Sequence, residues 1–111
     1  MKVRRPDVIF VKQDRFQSTY WDDGFLMIVP DAVAEVVSPN DQAIEVAEKV
    51  EEYLAAGIAL VWVIYPEIKT VVIHRADGTL SKLYAGDELT GEGVIPGFRC
   101  KVADLFPTSA T

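Results

Sequence analysis

With 111 residues the chain is long enough for one hydrophobic core and too short for two, so residues 1–111 are expected to form a single domain. Half of the residues are hydrophobic and a quarter are charged, yet no apolar run approaches the ~18 residues of a membrane span, which excludes a transmembrane helix. The formal charge of −6 opposes nonspecific attraction to nucleic acid, which Lys and Arg drive. Its distribution is uneven, because Lys2, Arg4 and Arg5 gather at one end while Glu45, Glu48, Glu51 and Glu52 crowd a later segment.

The opening "MKVRRPDVIF" lacks the apolar region and small-residue cleavage site of a signal peptide, so a cytoplasmic location is expected. After Pro6-Asp7, "VIFV" suits a short strand, and "KQDRFQSTYWDDG" reads as a loop. "FLMIV" at 25–29 and "AVAEVV" at 32–37 do not alternate with polar residues, as strands buried on both faces should not. "SPND" signals a turn, with Asn40 or Asp41 available to cap a helix.

From Asp41 to Ala56 the apolar residues Ala43, Val46, Ala47, Val50 and Leu54 recur at helical spacing, and Gly57 supplies a stop. "ALVWVIY" at 59–65 suits a central strand, which completes a βαβ crossover. "TVVIHR", the turn "ADG" and "LSKLYA" read as a hairpin. The tail "VIPGFRCKVADLF" reads as a closing loop and one helical turn, with Val102, Leu105 and Phe106 covering a sheet end. The single cysteine, Cys100, has no partner for an intramolecular disulfide, which fits a reducing compartment. His74 stands in an alternating run with no His or Cys at metal-ligand spacing, and is read as strand filler.

One residue breaks the pattern. Glu35 lies inside the apolar run and on a strand shares its face with Val33 and Val37. An unpaired ionised carboxylate there costs several kcal/mol, so it needs a cation, a set of donors, a raised pKa or a strand end open to water. Asp31, four residues away on the same strand, lies roughly 13 Å off and cannot readily share an ion with it. Asp7 precedes its own strand, and if that strand pairs with the one bearing Glu35 both carboxylates can come to one point. Mg²⁺ takes one or two carboxylates and keeps several waters, so Asp7 and Glu35 suffice to hold it. A hydrolytic site also needs a positive group. Lys49, at the edge of the helix's apolar stripe, can reach back toward the sheet; it can equally be an exposed lysine beside Glu45.

The segments "RRPDVIFV", "PDAVAEVVSPND", "EKVEEYLAAGIALVWVIYPE" and "VIPGFRCKVADLF" together resemble the Uma-two family (domain of unknown function 820) of the PD-(D/E)XK restriction endonuclease-like superfamily. The likeness covers nearly the whole chain and rests on an RPD segment, an EVxS segment, a K-x-x-x-Y-x-x-x-G helix and a W-x-x-x-P strand, in that order. It implies an α/β fold, a mixed β-sheet flanked by helices, and Mg²⁺-dependent endonuclease activity, with Mn²⁺ as a substitute ion. Asp7 and Glu35 would then be the metal ligands and Lys49 the third catalytic residue. In this family the lysine is usually displaced from the E-x-K position, here Val37, onto the following helix.

The chain departs from the family pattern in three places. Against that pattern an N-terminally shortened domain is expected, since the RPD segment comes almost first; Tyr65 stands where an Asp is common; and residues 12–24 have no clear counterpart. Two apolar strands in a shortened sheet imply a homodimer. The residues also leave open a noncatalytic dimeric interaction protein that retains the nuclease-like fold, or a small phosphoester in place of nucleic acid as substrate.

Overall fold

The computed structural model describes residues 6–15, 21–22, 25–26 and 29–107. Its frame is a five-stranded mixed sheet built from β1 (Val8–Phe10), β4 (Ala32–Val36), β5 (Leu60–Tyr65), β6 (Thr70–Arg75) and β7 (Leu80–Leu83), in the order β1-β4-β5-β6-β7. β4 and β5 run parallel, with Glu35 level with Val63, and the other neighbours are antiparallel. A parallel pair needs a crossover, and helix α1 (Ala43–Ala55) supplies it. The expected βαβ unit and the β6–β7 hairpin are both present. In the hairpin turn Gly78 takes φ 87°, and the Asp77 carboxylate accepts the Thr79 amide at 2.9 Å and the Thr79 hydroxyl at 2.7 Å.

The sheet is apolar on both faces, which is why neither β4 nor β5 alternates with polar residues. On one face Val33, Val61 and Val63 pack beneath Val50, Tyr53 and Ile58. On the other, Ala32, Ala34, Leu60, Trp62, Val71 and Ile73 form the larger cluster. The Phe10, Trp62 and Phe98 rings meet there at centroid distances of 5.2–5.9 Å. That second face is closed by a two-stranded ribbon, β8 (Glu88–Thr90) with β9 (Arg99–Lys101), and by a 3₁₀ turn, Val102–Leu105. Val102 and Phe106 enter this core and Leu105 packs against it, so the tail covers a sheet face rather than a sheet end. Both β8 and β9 lie in a stretch whose short runs gave no strand pattern.

Three local expectations change. In "FLMIV", expected as one strand, the described β3 is Phe25–Leu26, paired in a separate ribbon with β2 (Trp21–Asp22), which lies inside the stretch expected to be a loop; residues 27–28 lie outside the described residues. Val29, at the other end of that run, is exposed and outside any strand. Neither Asn40 nor Asp41 caps α1. Gln42 holds the N-cap position without a side-chain bond, while the Asp41 carboxylate turns back to the Ser38 amide at 2.8 Å. That bond, before any other influence, holds the Asp41 carboxyl below the usual carboxylate range.

The third change bears on the site. Ala43 and Ala47 are exposed, and the buried face of α1 runs instead through Val46, Val50, Tyr53 and Leu54. This rotation of the contact stripe turns the Lys49 and Tyr53 edge of the helix toward the sheet. The C-terminus fixes the helix there. Gly57, at φ 98°, donates to the Leu54 carbonyl and Ile58 to the Tyr53 carbonyl, a Schellman closure that only a left-handed residue permits.

Candidate active site

Glu35 is 5 % exposed, on the helix-facing side of β4. Two residues of α1, one turn apart on one face, close on its carboxylate. The Tyr53 hydroxyl donates to Oε1, and Lys49 Nζ lies 3.8 Å from Oε2. Lys49 thus faces the sheet carboxylate and keeps about a third of its side chain exposed (31 %).

Asp7 arrives from the edge strand. β1 pairs antiparallel with β4, Val8 opposite Ala34, so one further step sets Asp7 opposite Glu35 and on the same face. The Asp7 Oδ2 accepts the Val36 amide at 2.7 Å, which fastens the carboxylate to the strand that bears Glu35. Burial is the main influence pushing the Glu35 carboxyl above its ordinary range; the Tyr53 bond and the Lys49 charge pull it down. Asp7 pushes it up again, through its charge and through the hydrogen bond a protonated Glu35 can give it. Two carboxyls therefore confront each other at a partly desolvated spot with one lysine beside them.

Asp31, set aside in the sequence as a co-ligand, is engaged elsewhere. Its oxygens accept the Lys12 amide at 2.7 Å and pair with Arg15, and Arg15 also donates to the Val29 carbonyl at 2.9 Å. The structure thus gathers Asp7, Glu35 and Lys49 and assigns Asp31 to holding the 12–15 turn. Tyr53 is the residue that sequence reasoning passed over. Its signal was its place in the K-x-x-x-Y spacing, i and i+4 on one helix face. The basic cluster Lys2, Arg4 and Arg5 lies outside the described residues.

The donor set suits a hard divalent cation. Both carboxylates supply oxygen, Asp7 Oδ1 is left over by the Val36 bond, and each Glu35 oxygen has lone pairs beyond those its neighbours use. Among the described residues no group of three His, Cys, Asp or Glu side chains forms a metal cluster, so the protein ligands of such an ion would number two and water would complete it. A shallow groove lined by Val37, Ser38, Tyr65, Pro66, Glu67 and Ile68 opens beside the site, at the carboxyl ends of β4 and β5. No helix of the described residues is long and apolar enough to cross a membrane.

The family model for Uma2, described as "Putative restriction endonuclease", matches residues 1–103. This chain belongs to the Uma2 family. Among solved structures, it is similar to a protein from Anabaena variabilis ATCC 29413 whose title describes a putative nuclease belonging to DUF820. The TM-score is 0.66 at 20 % identity, over 74 % of this chain and 46 % of that one. The chain therefore spans about half the length of its structural relative, and the likeness establishes a restriction endonuclease-like fold. Comparison with curated proteins found no match. The Uma2 segments noted in the sequence fall on the elements that build the site: RPD before β1, EVxS at the end of β4 and the Lys49/Tyr53 pair on α1.

Proposed function

We propose that this Uma2 chain is a metal-dependent nuclease that hydrolyses phosphodiester bonds in nucleic acid, with Asp7 and Glu35 holding Mg²⁺, or Mn²⁺ in its place, and Lys49 as the catalytic cation. The observation that carries the reading is the meeting of Asp7 with Glu35 on one face of the sheet, at the edge of an otherwise apolar core. Keeping both carboxylates ionised there is unfavourable without a cation to compensate them, and the family description supplies the chemistry for which such a cation would be kept.

When bound, the ion would supply an acidified water and neutralise phosphate charge. Glu35, held at Oε1 by Tyr53, provides the fixed oxygens. Asp7, at the exposed margin, provides the oxygen that meets solvent. Lys49 remains partly exposed, so its ammonium can orient an attacking water or face a phosphate oxygen. The active form is taken to be a cytoplasmic homodimer: Val8 and Val36 are 44 % and 43 % exposed at the β1 edge, diagonal neighbours on the face opposite Glu35 that a second copy could cover.

The test is cleavage of supercoiled plasmid and of single-stranded DNA with Mg²⁺, Mn²⁺ or chelator, for the wild type, Asp7→Asn and Glu35→Gln. Cleavage that needs metal and disappears in both variants supports the reading; cleavage indifferent to Glu35→Gln refutes it. Metal binding without cleavage of either DNA transfers the site to a small phosphoester. Absence of metal binding leaves a noncatalytic interaction protein on a nuclease-like fold.

A further inference from the structure

Glu35 reaches its position between Val33 and Val37 on the helix-facing side of its strand, and a flexible carboxylate there needs something to set its rotation. Two groups from α1 touch it, and they are not equivalent. Lys49 approaches Oε2 at 3.8 Å, beyond hydrogen-bond length, with a flexible stem that is partly in solvent. Tyr53 is 5 % exposed, its ring is packed among Val33, Val50, Ile58, Val61 and Val63, and its hydroxyl donates directly to Oε1. The tyrosine has two rotatable side-chain bonds and a ring wedged in a core. It is also anchored at its backbone, where its carbonyl accepts the Ile58 amide in the helix closure at 3.2 Å.

We infer that Tyr53 is the positioning residue of the site: its hydroxyl, carried on a buried ring, locks the Glu35 carboxylate in the orientation that faces Asp7, while Lys49, beside Oε2 and partly exposed, compensates charge and keeps its ammonium open to the substrate side. This inference rests on Asp7 and Glu35 being metal ligands, and it goes beyond that reading by giving orientation and charge compensation to different residues. It also accounts for the spacing of the helix motif. The lysine and tyrosine must be one turn apart to meet the two oxygens of a single carboxylate, and the glycine four residues further on must end the helix so that the tyrosine ring stays seated.

Groups that orient metal ligands typically change metal affinity or activity by about 10- to 100-fold when removed. Tyr53→Phe deletes the hydroxyl and keeps the ring, so the core remains filled. The experiment is calorimetric titration of Mn²⁺ into wild type, Tyr53→Phe, Glu35→Gln and the double variant, each checked for folding by circular dichroism. The expected result is an affinity for Tyr53→Phe weaker by about tenfold or more, with Mn²⁺ binding lost in Glu35→Gln and in the double variant. An affinity for Tyr53→Phe lowered only as far as the unfolded fraction seen by circular dichroism accounts for, as a structural role for the phenol alone would give, overturns the inference. So does an unchanged Mn²⁺ affinity in Tyr53→Phe while wild type binds and Glu35→Gln does not, an outcome that spares the metal site itself. Wild type failing to bind Mn²⁺ at all removes the metal site and the inference with it. Should Tyr53→Phe fold poorly, 3-fluorotyrosine at position 53, a stronger donor of nearly the same shape, is expected to raise Mn²⁺ affinity; an affinity unchanged by it counts against the inference.

Discussion

Asp7 is tied to Val36, the residue next to Glu35, by a 2.7 Å bond from the Val36 amide to its Oδ2. The bond does two things: it extends the pairing of a three-residue edge strand, and it aims the second carboxylate at the site. Asparagine keeps a carbonyl acceptor and loses the charge, whereas alanine loses both. Asp7→Asn is therefore expected to unfold within about 1 kcal/mol of wild type in chelator, and Asp7→Ala to lose about 1 kcal/mol, with Mn²⁺ binding lost in both. Urea titrations beside calorimetry check this. Retention of Mn²⁺ affinity in Asp7→Asn would falsify the assignment of Asp7 as a ligand.

The two acids of β4 and its approach have separable duties. Asp31 accepts the Lys12 amide and pairs with Arg15, a local anchor with no contact to Asp7 or Lys49 among the described residues. Asp31→Ala is expected to lower the unfolding free energy by about 1–2 kcal/mol, as removal of a partly buried charged acceptor does, and to leave Mn²⁺ affinity within twofold. A large loss of metal affinity in this variant would show that the two acids act together.

Much of this arrangement was legible in the sequence, and the gaps have physical causes. β4, α1 and β5 announce themselves because a buried parallel pair reads as continuous apolar runs and its crossover as a helical stripe. Asp7, Glu35 and Lys49 followed from one anomaly, a carboxylate in such a run, together with the reach of neighbouring elements. The β8–β9 ribbon was missed because three-residue strands leave too few positions for any period to show. The helix phase was misjudged for a different reason. Ala43 and Ala47 count as apolar by composition but are small enough to sit in water at little cost, whereas Tyr53, polar at its tip, carries the larger apolar surface and takes the buried position. Tyr53 was hidden by the same ambiguity.

His74 gives a pH signature far from the carboxylates. Paired across from Val61 on the helix-facing side, it is pushed below its ordinary pKa chiefly by burial, with Glu51 pulling the other way. A base held below its unfolded value binds its proton more readily when unfolded. The stability it contributes is therefore present above the ordinary value of 6.5 and is lost as pH falls through the lower folded value. Melting temperature measured from pH 7.5 down to pH 5 is expected to fall less steeply in His74→Gln than in wild type. Parallel curves would mean that His74 is solvated in solution.

Glu35→Gln is expected to set function against stability at one position. The Glu35 carboxyl lies above its ordinary range in the folded protein, mainly through burial, so its contribution to folding is favourable while protonated and is lost as pH rises through the folded value. Once ionised, the buried group disfavours the metal-free folded protein, and Gln, which still offers Tyr53 a carbonyl acceptor, removes that cost. Against this stands the Lys49 pair, but at 3.8 Å and with Lys49 31 % exposed the lysine can return to water, and such pairs are worth about 0–1 kcal/mol. In chelator Glu35→Gln is therefore expected to be as stable as wild type or more so. Excess Mg²⁺ should reverse the order, because an ion that binds only the folded state stabilises by RT ln(1 + [L]/Kd), about 2.7 kcal/mol at 100 times Kd, and this increment belongs to wild type alone. Urea unfolding of both proteins, with chelator and then with excess Mg²⁺, measures all four terms. A loss of ~3–5 kcal/mol in chelator, the value for breaking a fully buried pair, with no added effect of Mg²⁺ on either protein, would make Glu35 a structural partner of Lys49 and end its role as a metal ligand.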